Sequence, residues 1–218
     1  MGIFAVFSAA LSLAALPPLP DQGLALETNP GVQLQTLTGR PLVAIRGLDL
    51  AVDKKIGRAL IMRDRHGRIF TLDPAARRVR RTHEYPAPMS GCRRADALLY
   101  VCRHTIVRGA RVIARKPRGI GHWVWAELAP KGNAVLAQWS AECEVPVAYL
   151  VVDGKLHAYG RESVALGWLP SGAALIHFPS GPCGDSSGPR GVYAVARTGK
   201  RRLLFRTRRF AQYAMWGG

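Results

Sequence analysis

The sequence predicts an all-β protein: a β-propeller of about five small four-stranded blades, its ring closed by strands from both chain ends. Three observations support this fold class. A turn built on Pro, a polar residue and Gly recurs between apolar runs, and a strand–turn–strand segment with an aromatic residue follows it. The copies are spaced by about 40 residues. Glycine (23) and proline (15) are frequent and fall between the apolar runs, where turns would separate strands.

The turn segment is clearest in two stretches that align without gaps. "WAELAPKGNAVLAQW" begins at Trp125 and "ALGWLPSGAALIHF" begins at Ala165. Their turn prolines, Pro130 and Pro170, are 40 positions apart. In each stretch the apolar runs on either side of the turn are long enough for one strand, so each stretch predicts the first two strands of a blade.

The strand–turn–strand segment occurs three times. It reads "VAYLVVDGKLHAY" at 147–159, "GVYAVARTGKRRLLF" at 191–205 and "GRIFTLDPAARRVRR" at 67–81. From Phe70 in the earliest copy to Tyr193 in the latest is 123 positions, or three units of about 41. These segments predict the third and fourth strands of three blades.

The chain divides into three parts. Residues 1–20 form an apolar run without charged side chains that ends in a Pro-rich break. This run predicts a signal peptide or a membrane anchor, the alternative being a buried strand or helix of the fold. Residues 21–40 are predicted to be a linker with a closing strand, and residues 41–218 to be the propeller domain.

Individual strands follow from the apolar runs and the turn residues that bound them. The predicted strands are 42–46, 59–63, 68–72 and 78–82 in an early blade; 98–103, 105–108 and 111–115 in a weaker one; 122–127, 134–139, 147–152 and 155–158 in the next; and 164–169, 173–178, 192–196 and 202–206 in the clearest.

The last apolar segment, "AQYAMW" at 211–216, begins a further blade and then the sequence given stops. Propellers close when strands from both chain ends share a blade, because closure hides edges that would otherwise pair with another chain. We therefore expect "GVQLQTLTG" at 31–39 to pair with 211–216. The alternative is an open fragment that needs a partner to complete its ring.

The turn segments resemble a known family. "LAPKGNAVLAQW" and "WLPSGAALIHF" are similar to the Trp-Ser-Pro-Asp-Gly segment of TolB-like, WD-type propeller repeats, and the strand pairs that follow are similar to those of the same repeats. The Asp of the family is replaced by Lys131 in one copy and Ser171 in the other, and only Trp168 falls near the family's Trp. The resemblance implies a rigid, mostly non-catalytic binding platform of a kind that is often exported.

The segment "PCGDSSGP" at 182–189 resembles the Gly-Asp-Ser-Gly-Gly-Pro segment that holds the nucleophile of chymotrypsin-like proteases. A serine nucleophile needs a His base that an acid orients, and the sequence has no Ala-Ala-His-Cys segment to supply one. Within the repeat, this stretch joins the second and third strands of a blade. We therefore interpret Ser186 as part of a turn, not as a nucleophile.

The four cysteines fall into two pairs. Cys92 and Cys102 bracket a hairpin-like segment, while Cys143 and Cys183 occupy corresponding loops of neighbouring predicted blades. We expect both pairs to form disulfides, which would fit an oxidising, extracytoplasmic compartment. Four free buried thiols are the alternative.

Arginine dominates the charge, because 31 Lys and Arg against 14 Asp and Glu give a formal net charge of +17. The clusters fall on the predicted fourth strands or just after them, at the rim of the disc. They could contact an anionic polymer or a membrane surface, or simply discourage edge-to-edge aggregation. Nucleic acid is not the expected partner, because stacking aromatics are not interleaved with the clusters. The candidate contact residues are Arg77, Arg78, Arg80, Arg81, Arg201, Arg202, Arg208 and Arg209.

No metal, cofactor or catalytic residues are predicted. The six histidines lack metal-ligand spacing, and no phosphate-binding glycine loop is present. We expect the tryptophans to pack between blades. The expected function is that of an exported or cell-envelope scaffold that binds a protein or an anionic polymer. The alternative is a glycoside or peptide hydrolase with its site at the propeller axis.

Overall fold

The computed structural model describes residues 16–28, 31–46, 49–56, 59–74, 76–82, 91–95, 98–117, 119, 121–140, 146–160, 162–179, 190–207 and 212–217. These residues form twenty β-strands in five four-stranded antiparallel sheets, arranged as a five-bladed β-propeller. The predicted fold class is therefore confirmed.

The blades are numbered from the one that holds the N-terminal strands. Blade 1 contains β1 (Gln22–Glu27), β2 (Val32–Gln35), β3 (Pro41–Ile45) and the C-terminal β20 (Tyr213–Gly217). Blade 2 contains β4 (Leu50–Ile56), β5 (Ala59–Asp64), β6 (Ile69–Asp73) and β7 (Arg78–Thr82). Blade 3 contains β8 (Cys92–Arg94), β9 (Leu99–Cys102), β10 (Thr105–Arg108) and β11 (Arg111–Arg115). Blade 4 contains β12 (His122–Leu128), β13 (Val135–Ser140), β14 (Val147–Val152) and β15 (Lys155–Ala158), and blade 5 contains β16 (Val164–Trp168), β17 (Ala174–Phe178), β18 (Gly191–Val195) and β19 (Arg201–Phe205).

Blades 2 to 5 are antiparallel meanders, so strand order in each sheet follows chain order. The first strand of each meander lies at the axis and the fourth at the rim. Tight two-residue turns join neighbouring strands where the sequence has residues that adopt a left-handed conformation. Between Val152 and Lys155, for example, Asp153 and Gly154 have φ angles of 50° and 78°, as a type I′ hairpin turn requires.

Ring closure occurs in blade 1, but with a different partner strand from the one expected. β20 pairs with β1, in the register Leu24↔Met215, and not with the 31–39 segment. The strand in that segment, β2, lies one position further out, where it pairs with β1 in the register Ala25↔Leu34. The apolar stretch within 22–27 was the stronger partner, because Leu24 and Ala25 are fully buried between two neighbours. Residues 21–40 thus supply two strands of the closing blade.

The predicted first strand of blade 2 was wrong. The apolar run at 42–46 belongs to β3, the outermost strand of blade 1, and the inner strand of blade 2 is β4. Pro41 agrees with the observed position, because a proline without an N–H is tolerated at the start of an edge strand. The inner strand of blade 3, β8, had no predicted counterpart, since it has three residues of which two are arginine.

The core lies between the blades. Four clusters of buried apolar side chains join blades 1 and 2, blades 3 and 4, blades 4 and 5, and blades 5 and 1. Tryptophans contribute as predicted: the Trp123 ring meets Trp139 edge to face with centroids 5.2 Å apart, and Trp168 Nε1 donates to the Glu127 carbonyl of the preceding blade. Each blade is thus held by at least one neighbour as well as by its own ladder.

Polar side chains on second strands also link blades. Gln138 Oε1 accepts a hydrogen bond from the Ala165 N–H of blade 5 at 2.6 Å, and Glu27 Oε2 accepts one from the Val52 N–H of blade 2 at 3.1 Å. Ala165 and Val52, whose N–H groups donate these two hydrogen bonds, are each followed by a β-bulge in the inner strand of their blade. His177 holds the position of blade 5 that corresponds to Gln138 of blade 4, just before the buried aromatic of the second strand.

Candidate functional site

The outermost strands carry basic residues and no acidic ones. In β3, β7, β11, β15 and β19 there is no Asp or Glu, and four of the five strands contain Lys or Arg. An outermost strand has a neighbour on one side only, so its polar side chains stay in solvent. We call this set the basic rim: Arg78, Arg80, Arg81, Arg111, Arg115, Lys155, Arg201 and Arg202.

The predicted contact residues of blade 2 all lie on this rim or beside it. Arg78, Arg80 and Arg81 are exposed on β7 around the buried Val79. Arg80 lies 4.0 Å from the half-exposed carboxylate of Asp73, a weak ion pair in solvent. Arg77 is exposed in the turn before β7, with a left-handed φ of 52°. These guanidinium groups are therefore available to a partner.

The predicted contact residues of blade 5 differ from one another. Arg202 is exposed on β19, and its side chain makes no ion pair within the described part of the chain. Arg201 bridges two blades, since its Nη2 donates to the Tyr159 carbonyl and its guanidinium lies 4.8 Å from the centre of the Phe178 ring. Arg201 thus stabilises the junction of blades 4 and 5 as well as carrying rim charge.

The two predicted groups do not form one patch. β7 belongs to blade 2 and β19 to blade 5, and blade 1 separates them. Basic residues are instead spread over the rims of blades 2 to 5. Arg208 and Arg209 lie outside the described residues.

Arg111 and Arg115, on the rim of blade 3, were absent from the predicted contact residues. Both are exposed on β11. Arg111 also lines a groove of about 240 Å³ at the junction with blade 4, together with Arg108, whose Nη1 donates to Asn133 Oδ1 at 2.9 Å. Their position on a fourth strand was the signal that could have identified them.

The predicted disulfide between Cys92 and Cys102 is present. The two residues are directly opposite each other in β8 and β9, so the bond is a cross-strand link within blade 3. Cys143 and Cys183 lie outside the described residues, and their pairing stays a prediction. Both fall between the second and third strands of neighbouring blades, as expected from the repeat.

The "PCGDSSGP" segment, with Ser186, also lies outside the described residues. β17 ends at Phe178 and β18 begins at Gly191. The segment therefore connects the second and third strands of blade 5, which is the connection that the repeat predicted.

A cavity of about 240 Å³ lies at the axis, where inner strands of four blades meet. The sequence could not identify it, because its walls come from distant parts of the chain. Its lining consists of Arg93 from β8, Val124 and Trp125 from β12, Gln138 from β13, Val164, Ala165 and Leu166 from β16, and Tyr213, Ala214 and Met215 from β20.

The buried side chains of Asp64 and His177 both have altered pKa values. Burial opposes ionisation of Asp64, but hydrogen bonds from the Arg68 side chain and from the Arg68 and His66 amides outweigh it, so the pKa of Asp64 is lowered. This carboxylate organises the turn between β5 and β6. Burial lowers the pKa of His177 to about 4, so its imidazole is neutral at pH 7.

The described residues contain no group of three or more His, Cys, Asp or Glu side chains arranged to hold a metal ion. None of them forms a helix long and apolar enough to cross a membrane. Comparison with protein families and with curated proteins found no match for this chain.

Proposed function

We propose that this protein is a non-catalytic, exported or cell-envelope β-propeller that binds an anionic polymer or an acidic protein surface through its basic rim. The observation that carries the proposal is the composition of the outermost strands, which hold eight basic residues and no acidic ones. A field of one sign attracts oppositely charged partners and accelerates their encounter.

The distribution of charge favours an extended partner over a compact one. Basic residues occur on the rims of blades 2, 3, 4 and 5, so a flexible polyanion could follow the edge of the disc. A small anion would need several arginines converging on one point. The rim arginines of blades 2 and 5 are instead a blade apart.

Charged side chains on an outermost strand also discourage its pairing with the edge of another molecule, which is a purely structural explanation for the charge of the rim. It does not require one sign, because Glu and Asp would repel another edge equally well. The absence of acids from all five outermost strands therefore supports a role in binding.

Export and kinship with TolB-like, WD-type propellers are part of the proposal. The Cys92–Cys102 disulfide is compatible with an extracytoplasmic location. The turn segments at Pro130 and Pro170 support the kinship.

The rim is tested with immobilised polyphosphate, by the salt concentration at which bound protein elutes. The variant Arg78→Gln/Arg80→Gln/Arg81→Gln removes three rim charges. The control Arg40→Gln/Lys131→Gln/Lys200→Gln removes three exposed charges from turns. We expect wild-type protein to elute below about 1 M salt, the rim variant at much lower salt, and the control close to wild type. Equal shifts for both variants, or binding that persists at about 1 M salt, would contradict the proposal.

The alternative hydrolase is tested separately, with chromogenic ester, glycoside and peptide substrates. The described lining of the axial cavity contains no carboxylate, Ser, Cys or His side chain, which supports binding over hydrolysis. Turnover that disappears on changing a single loop residue would establish the hydrolase instead.

A further inference from the structure

The axial cavity has polar character from two sources. Its walls are the inner strands β8, β12, β16 and β20, each with a neighbour on one side only within its sheet. The backbone N–H and C=O groups on the free edge of such a strand are not used by the ladder. The second source is Arg93, the charged residue among those that line the cavity in the described part of the chain.

The Arg93 side chain has no counterion among the described residues. It is exposed and makes no hydrogen bond or ion pair there, while the Arg93 backbone pairs with Val101 in the ladder of β8 and β9. No described lining residue is Asp or Glu. An arginine side chain is positively charged at physiological pH, and its planar guanidinium group can donate two parallel hydrogen bonds to a carboxylate. The cavity therefore favours an anion.

Apart from Gln138, the remaining lining residues are apolar or aromatic. β-bulges interrupt β12 between Trp123 and Trp125 and β16 between Ala165 and Gly167. Of the residues within the two bulges, Val124 is partly exposed at the cavity, whereas Leu166 is buried in the core beneath it. Bulges often re-aim side chains beside binding sites. A ligand that matches this wall has an apolar body, which a bare phosphate or sulfate lacks.

Gln138 is the polar uncharged amide in the lining, and both ends of its side chain are hydrogen-bonded within the protein. Its Nε2 donates to the Trp139 and Ser163 carbonyls, at 3.0 and 3.2 Å, and its Oε1 accepts from the Ala165 N–H. Gln138 therefore makes the wall rigid and does not compete with Arg93 for a ligand.

The disulfide explains how Arg93 is held. β8 has three residues, too few for a secure ladder, yet Cys92 next to Arg93 is bonded to Cys102 of β9. The bond ties the strand that carries the charge to the body of blade 3. A ligand-binding group must be held in place by its surroundings, and this bond does so for the strand that carries Arg93.

We propose that the axial cavity binds a small amphipathic carboxylate, with its carboxylate on Arg93 and its apolar body against the partly exposed lining residues Val124, Val164 and Ala165. This site is separate from the basic rim and does not depend on it.

The test is calorimetric titration with phenylacetate and with its neutral analogue phenylacetamide, at about 0.15 M salt to screen the rim. Wild-type protein should bind phenylacetate with at least millimolar affinity. Arg93→Gln should weaken binding about tenfold to a hundredfold, and the amide should bind as weakly to wild type as phenylacetate binds to Arg93→Gln. The control Arg202→Gln removes one exposed arginine from the rim and should bind like wild type.

Folding is checked by circular dichroism, and Arg93→Lys serves as a second variant. Lysine keeps the positive charge but lacks the planar guanidinium group. The affinity of Arg93→Lys for phenylacetate should therefore fall between those of wild type and Arg93→Gln. No phenylacetate binding to wild type, equal binding of acid and amide, or equal binding by folded Arg93→Gln would overturn the proposal. Polyphosphate retention by Arg93→Gln should match wild type, so failure of either proposal is recognised independently.

Discussion

At the scale of single residues, His177 makes different interactions from Gln138, the residue at the corresponding position of blade 4. The corresponding Gln138 accepts a hydrogen bond from the next blade. His177 instead packs edge to face against Tyr213, with ring centres 5.0 Å apart, and its buried Nε2 has no hydrogen-bond partner among the described residues. Only 2% of its surface is exposed. The imidazole therefore contributes to folding as an apolar ring that must stay neutral.

This makes stability depend on pH in a predictable direction. Burial depresses the pKa of His177 from 6.5 to about 4, so between these values the unfolded chain binds the extra proton and stability falls as the pH falls. Wild-type protein should lose about 2 to 3 kcal/mol more than His177→Phe between pH 7 and pH 4. Urea unfolding at several pH values measures the difference.

The control is His157→Gln, which removes an exposed imidazole from β15 and should keep the wild-type pH dependence. The same pH dependence in wild type and His177→Phe would show that His177 ionises without penalty in the folded protein.

At the scale of elements, β8 depends on a covalent link more than on its sequence. Its two arginines have little strand propensity and bury little surface. The bond to β9 closes a segment with a sequence separation of 10. Cys92→Ala/Cys102→Ala should therefore lower the free energy of unfolding by about 2 to 3 kcal/mol, measured by urea denaturation.

Reduction provides the control, because wild-type protein treated with a thiol reductant should approach the stability of the double variant. A peptide map of unreduced protein with free thiols at Cys92 and Cys102 would contradict the link. The same map tests the predicted Cys143–Cys183 pair.

At the scale of the whole molecule, the ring is closed by one strand from the far end of the chain. β20 pairs with β1, and its Met215 and Trp216 are fully buried. Removal of residues 212–218 should destabilise the fold by about 3 kcal/mol or more and expose the edge of β1 to other chains. Thermal unfolding and gel filtration measure both effects.

A peptide of residues 209–218 should restore the melting temperature and the monomer, whereas the same peptide with Trp216→Ala should not. A truncated protein that remains monomeric with an unchanged melting temperature would show that closure contributes little.

The predictability of the fold varied between blades for physical reasons. In blade 5 the predicted strands 164–169 and 173–178 match β16 and β17 to within a residue, because turn and apolar signals coincide there. Blade 2 was misassigned because the run at 42–46 is apolar, like an inner strand, although it lies at an edge. The rim arginines were predictable, since a fourth-strand position implies exposure. The place of Arg93 at the axial cavity was not, because the other walls of this cavity come from three other blades.

The sequence by itself determined the repeat, the turns and the strand pairs, because these depend on residues close together in the chain. It also determined the excess of positive charge and its place on fourth strands. Only the tertiary structure decided which strand closes the ring, which arginines lie near one another, and what lines the axis. These depend on contacts between residues far apart in sequence, and a one-dimensional pattern does not specify which distant segments will meet.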